Sequence, residues 1–361
     1  MLEFEFVQIA VGNKDKFLGS PSDEEWKQLF CFAQKQSLVG FLFCGIERLP
    51  NEQRPKRELL LRWYAMAEII KKSNAKLNVR CAELYNILNE GDFKGCVLKG
   101  QGVALLYPKP EYRQSGDIDM WVGTSEGKLA SVSSVVSYAK QHGVHVSHVD
   151  IKHADMRFFN DAQVEIHFKP SYSYNFIYDH RLTSWFGLKA KEQFENFDST
   201  VGFAYPTISF NLVYSLLHIY RHLFSEGIGL RQMLDYYYIL TNSKKDDREC
   251  AYETICSFGM KDFAGAAMFV LQEVFGLKDD YLLCKSSRKS GIFILSEILE
   301  AGNFGKYDTR TKKIDKEKRL ERGFVQLARN LRFVRYYPQE VLLSPIWKCW
   351  HYGWRKKHGY L

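Results

Sequence analysis

The sequence has no C-x-x-C pair, no low-complexity tract and no apolar run near the roughly 18 residues that a bilayer-spanning helix requires. The first residues, MLEFEFVQIAVGNKDK, carry acids early and lack a basic stretch followed by an apolar core, so no secretory leader is expected. Cys31, Cys44, Cys81, Cys96, Cys250, Cys256, Cys284 and Cys349 are scattered. Several fall inside apolar helical patterns, where cysteine serves as a small hydrophobe. The expectation is a reducing cytoplasm, with neither a disulfide framework nor a zinc site. No charge sign dominates: 50 Lys and Arg against 42 Asp and Glu leave +8, weighted toward the C-terminus. That bias suits an anionic substrate such as a nucleotide or nucleic acid, and it suits a solvated surface equally. What is present is 361 residues, 46% of them hydrophobic, enough to bury a sizeable core in two or three subdomains.

Three regions follow from the patterning. Residues 1–92 read as a helical region. Ser22 and Glu25 fit a capping box ahead of Trp26, Leu29, Phe30 and Phe32, and Pro55 opens a long helix running to about Asn89. Residues 93–205 read as a mixed α/β core, with strands at 96–98, 118–122, 144–149, 156–159 and 164–168, a helix opened at Gly100 and another over 129–142. Residues 206–361 read as a C-terminal helical domain, with helices at 210–222, 230–240, 252–258, 264–275, 292–299 and 316–336. The expected fold class is therefore α+β, a small mixed sheet with helical segments on either side. In the tail, Trp347, Trp350 and Trp354 share one helix face before Arg355-Lys356-Lys357. That pattern fits a docked terminal helix with a solvated basic end, or a contact to a membrane surface or RNA.

The chemistry concentrates in VLKGQGVALLYPKPEYRQSGDIDMWV, residues 97–122. Asp117 and Asp119, two apart on an extended segment, project to one side, with Ile118 and Met120 on the other. Paired acids repel unless a cation lies between them, and Mg²⁺ with its hard oxygen ligands is the usual answer. Gly100-Gln101-Gly102 opens a helix whose free N–H groups can face an anion. Glu165, flanked by apolar residues in Val164–Phe168, is a third acid in costly surroundings. His167 shares its face and can act as an outer partner of a metal ligand or steer an acceptor. His142, His145, His148 and His153 invite a zinc reading, but a helix end and strand parity are expected to scatter them. His218 and His222 lie four apart on a helix without the glutamate that zinc proteases carry. Arg231 and Asp235 have the spacing of a helix ion pair.

This constellation resembles the nucleotidyltransferase superfamily with the DNA polymerase β-type core. More closely, L-K-G…Y-P…R-x-x-G-D-I-D, then V-E-I-H-F, then L-L-H…R-H…G-L-R-x-x-x-D is similar to the uncharacterised type 5 nucleotidyltransferases over roughly residues 95–240. A more distant similarity links it to nucleotidyltransferase-like toxins of abortive-infection systems. The resemblance implies that Asp117, Asp119 and Glu165 hold two Mg²⁺ or Mn²⁺ ions for attack on the α-phosphate of an NTP such as ATP. It further implies that Gly100, Gln101 and Gly102 cradle the β- and γ-phosphates and that Lys99 and Arg113 neutralise them. Gly116, in the motif's G-D-I-D, would line the nucleotide site, and Arg231, oriented by Asp235, would contact phosphate. Gln101 departs from the Ser or Thr common at its position. An acceptor hydroxyl on a small molecule, protein or RNA end would complete the reaction. A D-x-D glycosyltransferase would need about a hundred residues of alternating strands and helices before its motif, where this chain is nearly all helix. A non-catalytic relative that binds nucleotide or a partner protein, as in a toxin–antitoxin pair, is the other alternative.

Overall fold

The structure, a computed structural model, describes residues 1–311 and 319–360. Capping and apolar spacing make the N-terminal part helical: α1 (Leu2–Val11), α2 (Asp23–Lys35), α3 (Val39–Arg48) and α4 (Arg57–Glu90). Ser22 accepts from the Glu25 N–H while the Glu25 carboxylate accepts from Ser22, closing the expected box. At 34 residues α4 is about 50 Å long. Trp63 and Ala67 in its first half belong to a large aromatic core, whereas Leu77, Cys81, Leu84 and Leu88 lie under the sheet.

The sheet has five strands, β1 (Phe93–Val97), β2 (Ile118–Thr124), β3 (His145–Val149), β4 (His153–Arg157) and β5 (Val164–His167), in the order β1-β2-β5-β4-β3. Only the β2–β5 pair is parallel. Alternation decides what each face carries. Ile118, Met120, Val164, Ile166, Ala154 and Met156 point toward α4 and α6 (Val132–Gln141) and close the smaller core. Asp119, Trp121, Glu165 and His167 point the opposite way. There Trp121 packs against Phe194 and Phe210 at 4.7 and 5.7 Å.

Those rings arrive on α7 (Phe176–Glu195) and α8 (Ile208–Ser225). Sequence patterning did not anticipate α7, although Asn175 caps it and Leu182, Phe186, Ala190 and Phe194 recur every four residues. Between β1 and β2, the helix expected from Gly100 to Tyr107 is only the four residues of α5 (Gln101–Ala104). The remaining helices are α9 (Leu230–Thr241), α10 (Lys245–Ser257), α11 (Lys261–Val270), α12 (Arg288–Ala301), α13 (Arg319–Asn330) and α14 (Pro338–Lys357). The helix expected over 316–336 starts outside the described residues. One continuous core joins Phe6 and Trp26 to Phe224, Leu271 and Trp347. No described helix is long and apolar enough to cross a membrane.

Candidate active site

Strand pairing assembles the acids. Asp119 lies directly opposite Glu165 in the parallel β2–β5 ladder, and Asp117 ends the loop immediately before β2. The Leu98 N–H donates to the Asp119 carbonyl, extending the β1–β2 pairing and carrying Lys99 over Asp119, where Nζ lies 2.7 Å from Oδ1. His167, 1% exposed, reaches the same Oδ1 at 2.9 Å through Nε2 and lies 3.5 Å from Glu165 Oε2. It therefore sits beneath the acids as a partner to both, out of reach of an acceptor. On β4, His153 pairs with His167, with ring centroids 5.5 Å apart.

The charges are unevenly compensated. Repulsion from Asp119, together with burial, raises the Asp117 carboxyl above its ordinary value. Burial acts the same way on Asp119, but Lys99 and His167 outweigh it and hold that carboxyl well below the usual carboxylate range. Glu165 is brought down to about 2, burial being overcome by the hydrogen bond from His167 and the Lys99 charge. Burial, aided by Lys152, holds the His153 imidazole down at about 3.

Asp117, Asp119 and Glu165 open into a cavity of about 590 Å³ between the sheet, α8 and α9. Lys99, Gly100, Arg113, Gly116 and Arg231 line it too. Gly100 needs its glycine: φ is +54° at the turn that aims Lys99 inward. Gln101 and Gly102 do not line the cavity, which corrects the expected phosphate cradle. The Gln101 side chain turns back to α4, donating to the Asn74 carbonyl at 3.3 Å and to Asn78 Oδ1 at 2.5 Å. Gly102 presses on β1, where an added Cβ would lie 2.5 Å from the Val97 carbonyl oxygen.

The arginines also differ from expectation. Asp235 serves Arg113, not Arg231. Both of its oxygens accept from Arg113 at 2.7 Å, Tyr107 donates to it at 2.6 Å, and the third edge of the guanidinium meets Ser115 Oγ at 2.7 Å. Arg113 is thus a buried anchor for the loop before β2, its charge paired with Asp235. Arg231 donates to the Gln114 carbonyl at 2.8 Å and lies under the Phe304 ring. Its buried Nε has no hydrogen-bond partner, and among the described residues no carboxylate is within ion-pair distance. Burial, with the nearby Arg113 charge, lowers its pKa.

Sequence reasoning missed Arg221 as a cavity residue. It is 6% exposed, stacked 3.7 Å from the Tyr174 ring centroid and paired with Glu340 of α14 at 2.5 Å. The available signal was a lone arginine inside the apolar run of α8. His218 and His222 line the same cavity, and burial holds both imidazoles below their ordinary pKa.

A family model described as an uncharacterised nucleotidyltransferase matches residues 22–276. The chain belongs to this family. Comparison with curated proteins and with solved structures returns no match. The family segment starts at Ser22, the cap of α2, and contains all three acids, Lys99, Arg113, Arg221 and Arg231. Asn303, Phe304 and Lys306, which close one side of the cavity, and Glu340, which holds Arg221, lie beyond it.

Proposed function

We propose that this nucleotidyltransferase moves a nucleoside monophosphate from an NTP to an acceptor hydroxyl and releases pyrophosphate. One observation carries the reading. Three carboxylates open into a cavity that also holds Arg231, a half-buried cation whose Nε is buried and unpartnered and which has no carboxylate within ion-pair distance among the described residues. Acids that repel one another call for cations, and an arginine with an unpartnered buried N–H calls for an anion. A metal-bound triphosphate answers both.

The donor set fits divalent ions. Asp119, Glu165 and His167 have ligand atoms within 4.8 Å of one another, and the raised Asp117 carboxyl marks negative charge left uncompensated. Mg²⁺ or Mn²⁺ held by Asp117, Asp119 and Glu165 would supply charge stabilisation for in-line displacement at phosphorus. The chain's own groups do the rest. Lys99 neutralises Asp119 and borders the phosphate space, His167 fixes the orientation of Asp119 and Glu165, and Arg231 receives phosphate oxygens. Arg113 holds the loop that positions Asp117.

The test is incubation with each labelled NTP and Mg²⁺ or Mn²⁺ in cell extract. Wild type is expected to label an acceptor and release pyrophosphate, whereas Asp117→Asn with Asp119→Asn folds normally and does neither. Full activity in that double variant would sink the assignment. Nucleoside diphosphate released from a nucleotide sugar would favour glycosyl transfer, and binding without turnover a non-catalytic role.

A further inference from the structure

Strand register carries metal-binding side chains past the acid centre. Residues paired across strands share a face, so Asp119 opposite Glu165, Glu165 opposite Asp155, and Asp155 opposite His148 form one row across β2, β5, β4 and β3. The last step depends on an irregularity in β3 between Val146 and His148, which shifts the register by one residue and brings His148 to this face. His153 occupies the next row on the same face, beside His167. Regular strand parity would have kept His148 and His153 apart; the bulge brings them together.

At the outer end of this row, His148, Asp150 and His153 present ligand atoms within 4.8 Å of one another, and the two imidazole centroids are 5.9 Å apart. The backbone already positions the carboxylate. Asp150 Oδ1 accepts from the N–H groups of Lys152 and His153 at 2.6 and 2.7 Å, leaving Oδ2 3.4 Å from His153 Nδ1. That Nδ1 is buried and makes no hydrogen bond. A buried polar atom left without a partner is costly, and coordination to a metal would satisfy it. The other ring nitrogen of His153 faces away from this group, 3.8 Å from Asp155 and 3.9 Å from Glu165.

We propose that His148, Asp150 and His153 form a second metal site, for a divalent transition ion of the zinc class. Two imidazoles and one carboxylate suit Zn²⁺ or Co²⁺, whereas Mg²⁺ takes oxygen ligands. Three protein ligands leave a coordination position open. Asp150 and His153 both line the large cavity, so an ion there borders the space where substrate is held and can take an anionic or hydroxyl oxygen from it. The assignment rests on these side chains alone and stands whether or not the acids transfer nucleotides.

The full-length protein, stripped with a chelator, is titrated with Co²⁺ in excess Mg²⁺. Binding is followed by visible ligand-field absorption and calorimetry. One Co²⁺ is expected to bind with the spectrum of a nitrogen-containing site and to be displaced by Zn²⁺ but not by Mg²⁺. His148→Ala is expected to weaken it about tenfold or more, since even an outer-shell partner of a metal ligand is worth that much. Asp150→Asn keeps a side-chain oxygen for the turn and loses a ligand charge, so it tests the same site if the first variant folds poorly. Asp119→Asn is expected to leave the titration unchanged. Displacement of Co²⁺ by Mg²⁺, identical titrations for wild type and both site variants, or loss of Co²⁺ only in Asp119→Asn would overturn the proposal.

Discussion

Single carboxylates in the acid centre respond differently to pH because their neighbours differ. Asp117 feels chiefly the repulsion of Asp119, so its folded pKa is raised and protonation relieves strain in the metal-free protein. Glu165 has a depressed folded pKa of about 2 against an ordinary 4.5. Its stabilising contribution is therefore present above pH 4.5 and lost as pH falls from there through about 2. Acidification of metal-free protein should titrate Asp117 first with no loss of fold, and stability should then fall as the pH drops from 4.5 toward about 2. Circular dichroism across pH, with Glu165→Gln as the control that flattens the lower limb, measures this. Gln101 yields a second residue-level expectation. Gln101→Ser supplies the hydroxyl expected at this position from the resemblance but removes the bonds to Asn74 and Asn78. It should cost about 1–2 kcal/mol in urea unfolding without improving nucleotide affinity, because the side chain faces α4 and not the cavity.

The loop between α5 and β2 and the start of α9 are tied by one ion pair and leave one cation over. Asp235→Asn would strand the Arg113 guanidinium, which is 3% exposed, and should destabilise the fold by about 3–5 kcal/mol in denaturant titration. Arg231→Gln should do the opposite to stability, holding or raising the unfolding midpoint, because burial already disfavours that charge. Its cost should appear in NTP binding, weakened about tenfold or more through loss of a charge-assisted hydrogen bond worth about 1.5–3 kcal/mol. Equal destabilisation by the two variants would show that Arg231, like Arg113, is an anchor. From sequence, the four-residue spacing of Arg231 and Asp235 suggested the wrong pair. Helix spacing shows which groups are neighbours on one element, but a bidentate partner 122 residues away competes for the same carboxylate and wins on geometry.

Across the whole molecule, the C-terminal helix braces the cavity wall from outside the family segment. Trp347 stacks on Tyr172 at 4.4 Å and 15°, and Glu340 pairs with Arg221 and accepts from Ser173. The expected tryptophan docking is made chiefly by Trp347; Trp350 is 42% exposed, and Trp354 stacks on His351 and His358. Glu340→Ala should leave Arg221 buried and unpaired, lower the thermal midpoint by an amount corresponding to about 3–5 kcal/mol, and weaken nucleotide binding in calorimetry.

Local pattern was enough to mark most of the helices, the five strands and the three acids as candidates, because period-two and helical alternation are written residue by residue. Asp119 and Glu165 were legible as candidates because a carboxylate among apolar strand residues is costly anywhere. Other features had no local signature. The inward turn of Gln101, the Arg113–Asp235 pair, the Glu340–Arg221 pair and the bulge that aligns His148 with His153 depend on which segments meet. The sequence by itself determined the family, the α+β character and the acids. Tertiary structure alone decided which cation answers which acid, because buried charges are compensated by the nearest partner in space and not the nearest in the chain.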